Sequence, residues 1–253
     1  MKIGLVQYNP LWESKEKNRK KIIGLIERDF IESSLLIFPE MTLTGFTMKS
    51  EKFSEPLKGD SIHFFSELAS KYDTFIAAGL IENDNGNYFN TLILLNPAGE
   101  IISKYRKIHP FSYSTEDKHY KKGEEVKTAE INGLKAGLSI CYDLRFPELF
   151  RFYAKARVQL IIVIANWPDT RIEHWRTLLK ARAIENQCYI AGVNRVGDDP
   201  ALHYPGFSSI YDPMGNEIQS LPNEEKIIFA DINKENVLKI RENLPFLDDI
   251  NLI

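Results

Sequence analysis

The sequence predicts an α/β fold of two mixed sheets packed face to face with helices outside. Three observations carry this expectation. Short β-rich runs alternate with amphipathic helical stretches along the whole chain. One run, VQLIIVIAN (158–166), is apolar throughout, as a strand covered on both faces must be. Two hairpins, around NPAG (96–99) and around Pro213-Met214-Gly215, interrupt the alternation. Regular β-α alternation alone would suit a Rossmann sheet or a TIM barrel, which are mainly parallel. The hairpins argue against both and favour stacked sheets.

The elements follow in order. KIGLVQY (2–8) reads as a strand. From Ser14 to about Glu32 the pattern is helical, with Ile22, Ile23, Leu25, Ile26 and Phe30 on or near one face. SLLIF (34–38) is a second strand, stopped by Pro39, and residues 61–72 suit a helix. TFIAAGLI (74–81) is a strand, and NYFNTLILL (87–95) and EIISKYRK (100–107) form the first hairpin. GLKAGLSIC (133–141) is a strand, 147–156 a helix, and VQLIIVIAN the buried strand. RIEHWRTLLKARAIEN (171–186) has helical spacing at Trp175, Leu178, Leu179 and Ala183. CYIAGVNRV (188–196), the second hairpin GFSSIYDPMGNEIQS (206–220), EKIIFADI (225–232) and a helix at 234–242 complete the chain. No linker composition and no tandem repeat divides it, so residues 1–253 read as one domain.

Composition narrows the class. The chain has 253 residues, 43% hydrophobic and 26% charged, with net charge -3. That is an ordinary globular balance, with no basic block to suggest nucleic acid. No run of about 18 apolar residues exists, so no membrane span is expected. The start, MKIGLVQYNP, does not read as a signal peptide, because Gln7 interrupts a short apolar run. Two cysteines, Cys141 and Cys188, make neither a disulfide framework nor a zinc cluster. A reducing cytoplasm is the simplest setting. No His, Cys, Asp and Glu set has metal-ligand spacing, and no GxGxxG or Walker pattern implies a nucleotide, so neither metal nor cofactor is expected.

Three strand ends carry chemistry. LLIFPE ends at Glu40, ISKYRK at Lys107, and GLSIC at Cys141. A thiol attacking a carbonyl needs a base to take its proton, which a carboxylate supplies. The anionic tetrahedral intermediate needs a donor, which an ammonium and the Tyr142 backbone N–H supply. Each residue alone has a plainer reading. A cysteine after a β run is commonly a buried hydrophobe. A lone glutamate commonly caps a helix, and a lone lysine is commonly solvated.

The motifs resolve the choice by resemblance. FPEMTLTGF (38–46), YRKIHPF (105–111) and LSICYDLRFPEL (138–149) resemble, in order, the glutamate, lysine and cysteine motifs of the nitrilase superfamily of carbon–nitrogen hydrolases. The resemblance implies a four-layer αββα sandwich. It implies Cys141 as nucleophile, Glu40 as general base and Lys107 as stabiliser of the tetrahedral species. It also implies a second glutamate downstream of the lysine. Glu116 matches best, ahead of Asp117 and Glu124, near Lys107 and the substrate. ANWPDTRIEHWRTLLKARAIENQCYIAGVNRVG (165–197) and EDKHYKKG (116–123) resemble the omega-amidase branch with its YafV-type bacterial enzymes. That branch hydrolyses the terminal amide of short dicarboxylic monoamides such as 2-oxoglutaramate and succinamate. It needs no cofactor, and a homodimer is implied, braced by NVLKIRENLPFLDDINLI (236–253). The same triad also serves nitrile and N-carbamoyl amine hydrolases. A non-catalytic binder on this fold is the remaining rival.

Further residues divide by environment. Arg171 follows the NWPDT loop (166–170), and its guanidinium suits a substrate carboxylate. A surface arginine at a helix start is the alternative. Trp167 offers an apolar wall to a substrate, or belongs to the core. Arg145, Glu148 and Arg182 read as a structural ion-pair set holding the loop after Cys141. His174 reads as a packed or capping histidine, and His109 as structural.

Overall fold

The computed structural model describes residues 1–251, so the last two residues of the expected C-terminal brace, 252 and 253, lie outside the described residues. The chain runs β1 (Lys2–Gln7), α1 (Lys15–Asp29), β2 (Leu35–Ile37), α2 (Ser50–Phe53), α3 (Asp60–Lys71), β3 (Phe75–Asp84), β4 (Asn87–Leu95) and β5 (Ile101–Arg106). It continues with α4 (Glu116–His119), β6 (Thr128–Ile131), β7 (Leu134–Ile140), α5 (Pro147–Lys155), β8 (Leu160–Ala165), α6 (Ile172–Asn186) and β9 (Tyr189–Asn194). β10 (Val196–Asp198), β11 (His203–Tyr211), β12 (Glu217–Pro222), β13 (Lys226–Asp231) and α7 (Lys234–Asn243) complete it.

The strands form two sheets. One has six strands in the order β13-β1-β2-β3-β4-β5. The other has seven, β10-β11-β9-β8-β7-β6, with β12 paired to β11. β1-β2-β3 and β7-β8-β9 are parallel, and the flanking pairs are antiparallel. Side-chain alternation explains the stacking. On β1, Ile3 and Leu5 point into the core shared with Leu138, Ile140, Ile162 and Ile164 of the second sheet. Val6 instead joins Leu36 and Ile76 beneath α1 and α3, where Ile22, Ile26 and Phe65 cover them. Phe150 and Tyr153 of α5, with Trp175 and Leu179 of α6, cover the second sheet. The result is the α–β–β–α sandwich that the sequence predicts.

Two hairpins escaped the sequence reading. β3 runs to Asp84, beyond its expected end at residue 81, and turns into β4 through Asn85-Gly86. Both turn residues have positive φ, 53° and 81°. That is the demand of a two-residue turn matched to strand twist, and Asn-Gly is its strongest sequence signal. Asn132-Gly133 repeats the arrangement between β6 and β7. α1 stops at Asp29, short of Glu32, because Phe30 turns extended to lead into β2.

This layout positions the site. The C-terminal ends of β2, β5, β7 and β8 deliver Glu40, Lys107, Cys141 and Asn166 to one end of the sandwich. Clefts at the carboxyl ends of parallel strands are where α/β sheets expose chemistry.

Candidate active site

Glu40 follows β2 in a turn sewn to β3. Phe38 N donates to Ala77 O (2.8 Å) and Thr42 N to Gly79 O (2.8 Å). Gly79 leaves room for this approach: a Cβ there would sit 2.6 Å from Met41 N and 2.7 Å from Glu40 Cα. Lys107 follows β5 and is locked by its backbone, with Lys107 N donating to Asn90 O (2.9 Å) and Gly123 N to Lys107 O (2.7 Å). Cys141 opens a 3-10 turn, Cys141–Arg145, at the end of β7. Its φ is +47°, a left-handed conformation that costs a residue with a Cβ about 1–2 kcal/mol. Such strain persists only where the surroundings impose it. The Asp143 carboxylate does so here. It accepts from Ile140 N (3.0 Å), from Tyr105 Oη (2.7 Å) and from His109 N (3.0 Å). One buried carboxylate thus ties the cysteine turn of one sheet to both sides of Lys107 in the other.

The charged groups meet in a closed cluster. Lys107 Nζ donates to Glu40 Oε1 (2.8 Å) and to Glu116 Oε2 (2.8 Å). Asn166 N donates to Glu40 Oε2 (2.9 Å), and Asn166 Nδ2 to Glu40 O (2.8 Å). Phe111 N donates to Glu116 Oε2 (2.6 Å). Glu40, Lys107 and Glu116 are all buried. Burial alone would lower the Lys107 ammonium, but Glu116 and then Glu40 raise it well above its ordinary value. Burial raises the Glu116 carboxyl, against the pull of Lys107. Burial also raises the Cys141 thiol, and the Glu40 charge adds to the rise while Lys107 opposes it. The arrangement is a protonated lysine between two carboxylates, beside a thiol held neutral until a base removes its proton.

Cys141 is half-buried and lies on a cavity of about 240 Å³, together with Tyr142, Trp167, Arg145 and Arg171. Trp12, Phe46 and Leu202 supply apolar wall. Among the described residues, neither arginine has a carboxylate within salt-bridge distance. Arg145 lies over the Trp167 ring (4.7 Å) and its Nη1 meets His174 Nδ1 (3.2 Å). Arg171 lies over Phe111 (5.6 Å). Burial and then the charge of Arg171 lower the Arg145 guanidinium from its usual range. Two cations share this small cavity with one acid, Asp199, whose carboxylate already accepts from Ala201 N, Leu202 N and Tyr204 Oη, and such an excess of cations invites an anion.

Residues 2–242 match the family model described as Carbon-nitrogen hydrolase. The chain belongs to that family. The "2-oxoglutaramate amidase" of Bacillus subtilis (strain 168) is 32% identical over 250 residues, 98% of this chain and 96% of that protein. The "Omega-amidase YafV" of Yersinia enterocolitica is 34% identical over 98% of this chain and 96% of that protein. A solved carbon–nitrogen hydrolase superfamily protein from Xanthomonas campestris, with an arsenic adduct in its active site, superposes with a TM-score of 0.95. It is 30% identical, over 100% of this chain and 98% of that one. These relatives bear out the resemblance to the nitrilase superfamily and its omega-amidase branch.

Within this carbon–nitrogen hydrolase, Cys141, Tyr142, Trp167 and Arg171 line one cavity, and Glu40, Lys107 and Glu116 form the buried cluster whose charges act on Cys141. Asp117 and Glu124 are exposed, away from the cluster. The ion-pair reading of Arg145 needs correction. Arg182 does hold the loop after Cys141, donating to Leu144 O (2.8 Å), but its acid is Glu185 (2.8 Å), not Glu148. Arg145 turns the other way, into the cavity. His174 is exposed and meets Arg145, whereas His109 is bound to Asp143 as a structural group. Sequence reasoning missed Asn90 and Asn166. Asn166 lies within quoted segments but was given no role there, whereas Asn90 lies in mid-strand, and only its register opposite Lys107 would reveal it.

Proposed function

We propose that this protein is a cysteine-dependent amidase that hydrolyses the terminal amide of short dicarboxylic monoamides, with 2-oxoglutaramate and succinamate as the substrate class. The observation that carries the reading is the Cys141 thiol beside the Glu40–Lys107 pair, on a cavity that also presents two arginines with no carboxylate in salt-bridge distance among the described residues. The names of the relatives support the same chemistry.

In this reading the substrate amide carbonyl reaches Cys141 Sγ. Glu40 takes the thiol proton as the C–S bond forms, and the tetrahedral oxyanion is met by Lys107 Nζ and the Tyr142 N–H. The first N–H groups of a helical turn have no partner within it, so the turn that Cys141 opens leaves donors free. Collapse breaks the C–N bond. Glu40 returns its proton to the leaving nitrogen, releasing ammonia and leaving a thioester on Cys141. Water, deprotonated by Glu40, then attacks the thioester, giving the acid and restoring the thiol. Glu116 keeps Lys107 in place. Ammonia release from succinamate, compared with a nitrile and an N-carbamoyl amine, tests the assignment. Preference for either rival would replace it.

Arg171 and Arg145 receive the substrate carboxylate, which must be paired once the cavity desolvates it. Arg171→Ala is expected to cost about 2–5 kcal/mol of transition-state binding for succinamate, roughly 30- to 5,000-fold in kcat/KM, while a neutral short amide changes little. Equal losses for both substrates would remove Arg171 from recognition and leave Arg145 as the candidate.

The whole chain acts as one domain in this proposal, located in the cytoplasm, where Cys141 and Cys188 stay free thiols. No helix among the described residues is long and apolar enough to cross a membrane. The protein is a homodimer. Phe152 of α5, Ile184 of α6 and Phe246 are exposed apolar side chains on the helical layer of the second sheet, which supports an interface there. Residues 244–247 do not stand free, since Gln187 Nε2 donates to Leu244 O (2.8 Å) and Leu247 is buried. The C-terminal segment therefore braces α6 from within the chain. Sedimentation should show a dimer at micromolar concentration, and Phe152→Glu with Ile184→Glu should yield monomer. A wild-type monomer would end the proposal.

A further inference from the structure

Asn90 lies in the middle of β4, outside all three motif-bearing segments, yet it touches every charged residue of the cluster. Its backbone O accepts from Lys107 N (2.9 Å). Its side-chain Nδ2 donates to Glu40 Oε1 (2.7 Å) and to Glu116 Oε1 (2.8 Å). Both amide protons are therefore spent on two carboxylates of like charge. The partners fix the orientation of the amide. Turned over, it would set Oδ1 against two carboxylate oxygens at these same distances. In the orientation present, Oδ1 is buried with no donor among the described residues. Asn166, Asn186 and Gln187 also leave an amide oxygen without a partner among the described residues, so the free acceptor does not by itself set Asn90 apart. What sets it apart is that both of its amide protons go to the two carboxylates that hold Lys107.

We propose that Asn90 is a positioning residue for the amide hydrolysis, a neutral donor that bonds Glu40 and Glu116 on either side of Lys107 and so aims Glu40 at the Cys141 proton. The inference rests on the triad reading above. Neutrality matters. A second cation would bind the Glu40 charge too firmly for it to accept a proton. An acid would add a third anion to a closed site. Tyr120, at the end of α4, also faces the cluster, and burial keeps its phenol neutral. The groups that set the charge are therefore Glu40 from the turn after β2, Lys107 from the end of β5, Glu116 from α4 and Cys141 from the second sheet. For Glu116, burial and the Glu40 charge push the carboxyl up, and the Asn90 bond is one of the forces holding it down. Removing the amide removes that force and raises the proton affinity of the Glu116 carboxylate.

The test uses the full chain carrying Asn90→Ala or Asn90→Ser. Three quantities are measured: kcat and KM for succinamate across pH, the pH dependence of Cys141 alkylation by iodoacetamide, and Tm. Asn90 does not line the cavity, so kcat should fall about 100-fold in Asn90→Ala, in the range of a disturbed acid–base step, with KM nearly constant. The acid limbs of both kcat/KM and alkylation should move to higher pH by about one unit. Asn90→Ser, which keeps one donor, should recover part of both effects. It also carries the test if the alanine variant fails to fold. Activity near wild type would overturn the proposal. So would a loss of activity that tracks Tm while both limbs stay in place. If wild type itself leaves succinamate intact, the substrate reading has failed, and the alkylation limb still decides the role of Asn90.

Discussion

Cys141→Ala is expected to abolish amide hydrolysis, a loss on the order of 10⁶-fold if the thiol is the nucleophile of a coupled triad. The fold should survive. The side chain is half-buried on the cavity, and its only hydrogen bond among the described residues is a long one, Sγ to Asn166 O at 3.9 Å. Alanine keeps the Cβ and with it the strain of φ +47°. Cys141→Gly relieves that strain, which offsets the greater freedom glycine gives the unfolded chain. The glycine variant should therefore melt no lower than the alanine variant, although both are inactive. Intact-mass spectra of wild type mixed with slow substrate should show an adduct on Cys141 that neither variant forms. Substantial hydrolysis by Cys141→Ala would sink the thioester route. A glycine variant melting several degrees below alanine would show that the turn is not strained.

The sequence made much of this site legible, and the reason is local. Glu40, Lys107 and Cys141 each stand where an apolar β run stops, so the strand pattern and the motif point to the same residue. Glu116 was chosen over Asp117 and Glu124 by its motif, and it is the one of the three that is buried. Arg145 was misread because a charged stretch, DLRFPE (143–148), suggests pairing along the chain. Whether an arginine turns toward Glu148 or into a cavity depends on packing from another element, here Trp167 after β8. Asn90 was invisible for the same reason. Its role comes from β4–β5 register, which sets it beside Lys107, and from the Glu40 turn beyond β3. The two missed hairpins are a different matter. Asn85-Gly86 and Asn132-Gly133 carried a local signal, masked by charged neighbours and by strand runs that read as shorter than they are.

Glu40→Gln and Lys107→Ala should both cripple the enzyme, yet differ in what else they break. Glu40→Gln loses proton transfer in both half-reactions, typically worth about 10²–10⁴-fold. Its amide oxygen can take the Oε1 place and accept from Lys107 and Asn90, which leaves its NH2 against the Asn166 N–H, and Lys107 keeps Glu116 as counter-ion at 2.8 Å. Its stability should fall by the cost of that one lost acceptor, about 1–3 kcal/mol. Lys107→Ala loses oxyanion stabilisation, on the order of 10²–10³-fold per donor. It also strands Glu40 and Glu116, both buried, with no cation between them. Breaking a buried pair by removing one partner costs about 3–5 kcal/mol. The lysine variant should therefore melt well below the glutamine variant at neutral pH. Mild acid should narrow the gap, because protonating a carboxylate removes the stranded charge, and the carboxyl of Glu116 is already raised by burial. The rate losses should not multiply in the double variant, since the oxyanion that Lys107 meets forms only if Glu40 has taken the thiol proton. Two outcomes would break this picture: a double variant whose loss equals the product of the single losses, or a Lys107→Ala protein as stable as Glu40→Gln at pH 7. The first would separate the base from the oxyanion donor. The second would mean that the carboxylates find other partners when the ammonium is gone.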